Sequence, residues 1–64
     1  MNRLKELRLE RGLTLNDISR YLQISADGLA KYERGIREPK LETWEKLAQY
    51  FNVTPQYLVG WANE

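Results

Sequence analysis

Residues 14–35, TLNDISRYLQISADGLAKYERG, decide how the rest of the chain is read. Thr14 is an N-cap residue with Asp17 three positions on, a capping-box-like pair that opens a helix. Ile18 and Leu22 then repeat at a four-residue spacing beside the small Ser19, which gives that helix one apolar stripe. Ser25 is a second N-cap residue, and Asp27 follows in the first turn, where the helix dipole favours negative charge. Leu29 and Tyr32 form the buried side of this second helix, and Gly35 stands where a helix stops. Only Gln23 and Ile24 separate the two helices, too few for a relaxed loop. Helices joined so tightly meet at a steep angle, and Ile18, Leu22, Ile24, Leu29 and Tyr32 are placed to seal the corner.

Towards the N-terminus the pattern predicts another helix, capped by Asn2, with Leu4 and Leu7 on one face. Arg8 and the stem of Arg11 lie alongside, and Gly12 is its stop. Leu13 covers the joint with Thr14. Leu9 points away from Leu4 and Leu7 and reads as an exposed leucine, which folded proteins commonly carry, or as part of a contact with another chain. In the other direction, residues 36–40 have no regular period and Pro39 holds Glu38 extended, so they read as an exposed loop. Trp44, Leu47, Ala48 and Phe51 share one face of a helix from about Leu41 to Phe51. Asn52 can take the left-handed conformation that ends it. Thr54-Pro55 is an N-cap followed by proline at the first helical position, the start of a short helix to about Val59 that stops at Gly60. Trp61 either folds back on the core or meets a partner. With no linker and no low-complexity tract, the expectation is an all-α chain of five helices forming one domain over residues 1–64.

At 64 residues, such a domain is near the size at which a single core becomes marginal. Hydrophobic residues at 42% and charged residues at 30% are ordinary for a globular chain and argue against disorder. The absence of cysteine removes disulfides and thiolate metal sites. The absence of histidine removes the commonest metal ligand and acid–base group. Neither a metal nor a cofactor is therefore expected. Any catalysis would rest on carboxylates or lysine, and no inward-facing pair of these stands at a useful spacing, so an enzyme is the least favoured class. The apolar run at residues 57–62 falls far short of the ~20 residues that a membrane helix needs. No signal-peptide pattern opens the chain. These features predict a soluble protein of a reducing compartment, the cytoplasm.

The net charge of +1 says little about a polyanion partner, but its distribution says more. Lys31, Arg34, Arg37 and Lys40 stand against only Glu33 and Glu38, whereas beyond residue 40 Lys46 faces Glu42, Glu45 and Glu64. Positive charge thus collects just after the second helix of the corner, as a one-faced anion binder requires. A solvated loop with a chance cluster would give the same count.

A two-helix corner of this kind is a helix-turn-helix. The segments RLKELRLERGLT, Ser19, Ile24-Ser25, KYERGIREP, LETWEKLAQYFNV and TPQYLVG resemble the helix-turn-helix domain of the lambdoid phage repressor and Cro family, with its XRE-like bacterial regulators. The resemblance covers nearly the whole chain, and YERG and REP at their spacing from RGLT make it far more specific than a bare two-helix pattern. It implies five helices, the third entering the DNA major groove as a recognition helix. It also implies two copies on a palindromic operator, with half-sites about 34–36 Å apart.

The same resemblance assigns roles to residues. Arg8 pairs with Glu33 beneath the motif, a structural pair that fits the need of a half-buried guanidinium for a carboxylate. Ser25, Ala26, Asp27, Ala30 and Lys31 fall where side chains meet phosphates or base edges. Ala26 and Ala30 offer apolar contact to a thymine methyl, Asp27 can accept from a cytosine amino group, and Lys31 can donate to guanine. Asp27 as a simple dipole partner and Ser25 as a simple cap are the plainer readings of those two residues. Gly28 costs the helix about 1 kcal/mol relative to alanine, and its lack of bulk leaves room for a close backbone approach to DNA.

The chain departs from the family pattern in three places. Leu15 stands where many relatives have a phosphate-holding glutamine, which leaves Thr14 or Asn16 to supply that anchor. Gln23 replaces the usual turn glycine and must adopt a positive φ. Lys40 replaces a serine or threonine cap, adding a cation beside Arg34 and Arg37, and these three read as phosphate clamps.

The reading is a sequence-specific DNA-binding domain of a phage or bacterial repressor that acts by binding. Phosphate contacts would carry most of the affinity, while contacts from the third helix and DNA shape would carry specificity. Tyr57, Leu58 and Trp61 on the fifth helix and tail are the expected self-association surface of a homodimer. A longer parent protein would carry a dimerisation or sensing domain after residue 64. A second class stays open, because Ala26, Gly28 and Ala30 give a small-residue helix face that can dock another protein. That would make the chain an interaction module or an antitoxin-like partner.

Overall fold

The computed structural model describes residues 2–61; Met1 and residues 62–64, which include the Ala62 and Glu64 considered above, lie outside the described residues. Five α-helices and no strand make up the described residues: α1 (Leu4–Glu10), α2 (Leu15–Leu22), α3 (Ala26–Arg34), α4 (Leu41–Phe51) and α5 (Pro55–Val59). Their starts are set by local chemistry. Thr14 Oγ1 accepts from Asp17 N–H at 3.1 Å while Thr14 N–H donates to Asp17 Oδ2 at 2.8 Å, a complete capping box on α2. Ser25 Oγ and Thr54 Oγ1 accept from Gly28 N–H and Tyr57 N–H at the starts of α3 and α5. The start of α4 has no side-chain cap, as expected with Lys40 in that position. The ends of α2 and α4 are turned by Gln23 and Asn52, both at φ 59°. At Asn52 this is a routine helix end; at Gln23 it is the strained conformation that the missing glycine implied.

These elements close over Leu4, Leu7, Ile18, Leu29, Trp44, Leu47, Ala48, Phe51 and Leu58. Each comes from the apolar stripe of its helix, so all five helices contribute to one core. Leu22, Ile24 and Tyr32 lie half-buried against it and complete the α2–α3 corner with Ile18 and Leu29. Leu9 is exposed, as its place on the wheel of α1 predicts.

Some expectations are corrected. Leu58 is fully buried, so it is a core residue and not part of any dimerisation surface. In so short a helix, docking on α4 turns Leu58 inward and leaves Tyr57 and Val59 half-buried. The 36–40 segment is exposed except at Pro39, which is buried. The N-cap position of α1 is Arg3 and not Asn2. Asn2 stands one residue earlier, where its Oδ1 accepts from Leu4 N–H while its Nδ2 donates to the Tyr32 carbonyl at 2.8 Å, stitching the start of α1 to α3. Arg11 does not simply lay its stem along α1, because its guanidinium sits over the Phe51 ring, 5.3 Å from the centroid. Arg3 holds the opposite edge closed, with its N–H on the Leu58 carbonyl and its guanidinium over the Tyr57 ring.

Candidate nucleic-acid interface

What positions α3 is a set of contacts along one of its sides. Arg8 on α1 donates from Nε to Glu33 Oε2 at 2.6 Å and from Nη2 to Oε1 at 3.3 Å, and its Nη1 reaches the Leu13 carbonyl at 3.0 Å. Both side chains are largely buried, so the pair is a structural fastening as the sequence implied, and Glu33 is not available to DNA. The Asn2–Tyr32 bond fastens the same side one residue away. Leu29 packs into the core ahead of them. Together they fix the inner face of α3 to α1 and the core.

The outer face is what remains. Asp27, Lys31 and Arg34 recur at the four- and three-residue spacing of one helix face, with Ala30 beside them. The two expected base readers are bonded to each other: Lys31 Nζ lies 3.1 Å from Asp27 Oδ2. That pairing was readable from the i,i+4 spacing but was not drawn from it. Ala26 is half-buried at the first position of the helix. Ser25 is a cap, yet a hydroxyl that accepts the Gly28 N–H keeps its own proton for a phosphate. Thr14 Oγ1 likewise accepts from Asp17 N–H at the start of α2, but its hydroxyl also faces the Asp17 carboxylate. The exposed Asn16 lies close to it along the chain. Thr14 N–H and then the Thr14 hydroxyl hold the Asp17 carboxyl below the usual carboxylate value, with the Arg20 charge adding to the effect against a small opposing burial.

Gly28 has a different role from the one expected. It is buried, and a Cβ placed there would come within 2.9 Å of Ser25 Oγ and 4.0 Å of an Ile24 methyl. The missing side chain therefore makes room for the Ser25 cap inside the corner rather than for DNA outside it. Alanine at this position would gain about 1 kcal/mol of helix propensity and forfeit a cap worth about the same, so the two effects nearly cancel.

Beyond α3, the Ile36 and Arg37 N–H groups both return to the Lys31 carbonyl, which holds the loop against the end of the helix. Arg34, Arg37 and Lys40 are exposed, and among the described residues none of them enters an ion pair. Trp61 is 81% exposed and does not fold back on the core. It borders a shallow groove with Leu41, Trp44, Pro55 and Val59. This exposed apolar edge was only half foreseen, since Leu41 was read as a helix start and not as surface. Among the described residues no cluster could hold a metal ion, and no helix is long and apolar enough to cross a membrane.

A recognition-type helix held by its inner face behind a tight turn defines the class: this is a helix-turn-helix protein. The family profile described as Helix-turn-helix matches residues 4–58, and the chain belongs to that family. The match begins and ends on core leucines, Leu4 and Leu58. The chain is 50% identical over 52 residues to the HTH-type transcriptional regulator DdrOP3 of Deinococcus deserti, covering 81% of this chain and 40% of that protein. It is 40% identical over 58 residues to the HTH-type transcriptional regulator ImmR of Bacillus subtilis, covering 91% and 46%. It is 34% identical over 59 residues to the cryptic phage CTXphi transcriptional repressor RstR of Vibrio cholerae, covering 92% and 53%. These relatives are named as regulators and repressors, not enzymes, and the chain spans about half of their length. No solved structure gives a significant match.

Proposed function

We propose that this chain is the DNA-binding part of a phage or bacterial transcriptional repressor, acting in the cytoplasm and reading duplex DNA with the outer face of α3. One observation carries the reading. The inner face of α3 is fastened by Arg8–Glu33 and Asn2–Tyr32, while Asp27, Lys31 and Arg34 form a stripe on the side left open. A rigid helix with one free face is what insertion into a major groove requires. The unpaired cations Arg34, Arg37 and Lys40 then serve the phosphates, with Thr14, Asn16 and Ser25 as neutral phosphate donors. Ala26 meets base edges or methyl groups. The names of the relatives support the regulatory role.

The operator is read by a homodimer. The domain is 27 Å in its longest extent, so two copies fit side by side on half-sites about 34–36 Å apart, one helical turn of DNA. Trp61, joined by Leu41 and Val59 and without Leu58, supplies the apolar edge for that contact, while half-buried Tyr57 lies outside that groove with its ring under Arg3.

Binding to random duplex DNA at two salt concentrations tests the reading. Affinity should fall steeply as salt rises, and Arg37→Ala should weaken every sequence alike and flatten the salt slope by about one unit. Absence of binding at low salt would instead favour an interaction module or an antitoxin-like partner that kept the fold.

A further inference from the structure

The open face of α3 holds very little that can hydrogen-bond. Ala26 and Ala30 carry no polar side-chain atom, while Gly28 and Leu29 are buried. Over the first two turns of the helix, the outward polar groups are the Asp27 carboxylate and the Lys31 ammonium, one helical turn apart and bonded at 3.1 Å. As a surface ion pair alone this would be unremarkable, since such pairs are common on solvated helices. Its position makes it more. A lone carboxylate facing a groove lined with phosphates would be repelled, whereas a carboxylate already neutralised by its neighbour can enter.

Resting on the proposed DNA reading, we propose that Asp27 and Lys31 act as one unit that recognises a single G·C base pair in each half-site. On the major-groove edge of that pair, guanine presents the acceptors N7 and O6, and the cytosine N4 amino donor lies next to O6. The guanine O6 and cytosine N4 are partners in the base-pair hydrogen bond, so they lie about 2.9 Å apart. The ion pair sets a donor and an acceptor at nearly that spacing with the opposite polarity. With one proton on Asp27, the ammonium has two left for O6 and N7, and the carboxylate has lone pairs to spare for N4–H. An A·T pair also places a donor beside an acceptor, but it suits the unit less well. There the adenine N7 lone pair lies next to the carboxylate, and thymine gives the ammonium one acceptor and a methyl group. The ion pair stays intact in the complex, so neither charge is stripped of its partner.

The two substitutions that break the unit have opposite effects on affinity and the same effect on sequence preference. Asp27→Ala leaves a free ammonium that can serve any acceptor or phosphate. Affinity for random duplex should rise, the salt slope should steepen by about one unit, and preference at the G·C position should relax. Lys31→Met leaves a bare carboxylate, so affinity for all sequences should fall while preference relaxes at that same position. Selection from a random duplex library, run on wild type, both single variants and the double variant, tests this. Melting curves on each variant check that these substitutions on the outer face leave the fold intact. Wild type should prefer G·C there by about tenfold to a hundredfold, and the double variant should relax that position no further than either single one. Relaxation at two different positions, at none, or at a position that wild type fills with A·T overturns the assignment while leaving an enriched operator and the proposed function standing. A library from which nothing is enriched, with no salt-dependent affinity, removes both.

Discussion

Arg8 does three jobs with one planar group: two bonds to Glu33 and one to the Leu13 carbonyl. Cutting it to alanine leaves Glu33 charged and largely buried without a partner, so Arg8→Ala should cost about 3–5 kcal/mol. In a domain of this size each kcal/mol moves the melting point by about 4–8 °C, so thermal unfolding should shift by well over ten degrees. Lysine should not restore it, because a point charge cannot span Glu33 and Leu13 together. A shift of a degree or two would remove the pair from the account of stability. Gln23 is the opposite case, a residue that the fold tolerates at a cost. At φ 59° its Cβ crowds the backbone, and Gln23→Gly should raise stability by up to about 1 kcal/mol, read as a higher melting point. A lower one would mean that the glutamine side chain holds the turn in a way its geometry does not suggest.

Among the elements, α2 has a pH-sensitive start. The Asp17 carboxyl is held below its unfolded value by Thr14, so its contribution is complete above the unfolded pKa of about 3.9 and disappears as pH falls through the lower folded one. The stability gap between wild type and Asp17→Ala should therefore be constant at neutral pH and close below about pH 4. An NMR titration of the Asp17 carboxyl should have its midpoint below 3.9, and a midpoint at or above that value would contradict the capping box. Such caps were legible in the sequence because they join residues three apart: Thr14 with Asp17, Ser25 with Gly28, Thr54 with Tyr57. The apolar stripes of α1 and α4 were legible for the same local reason. Contacts between distant segments were not: nothing near Asn2 announces a bond to Tyr32 thirty residues away, nor does the YLV of α5 say that Leu58 turns inward before α4 is in place. The Arg8–Glu33 pair, equally distant, was legible only through the family pattern. The proposed reading face lies between these cases: its residues were legible only through the family pattern, and its internal ion pair, which helical spacing allows, was overlooked.

For the molecule as a whole, the pairing of copies sets the operator. If the domain binds as the proposed homodimer, selected sites should be palindromes with centres about 34–36 Å apart. Inserting half a turn of DNA between the halves should abolish tight binding while leaving weak half-site binding unchanged. Equal affinity for both spacings would mean that copies bind independently. The division of α3 into a fastened side and an open side has a further consequence for how such a protein changes over time. The bonds that hold the helix in place come from its inner side, so under the proposed reading the lettering at Ala26, Asp27, Ala30 and Lys31 could be rewritten without breaking the Arg8–Glu33 and Asn2–Tyr32 fastenings. One frame would in this way supply many operators, and a new specificity would need only a few substitutions on the outer side of α3.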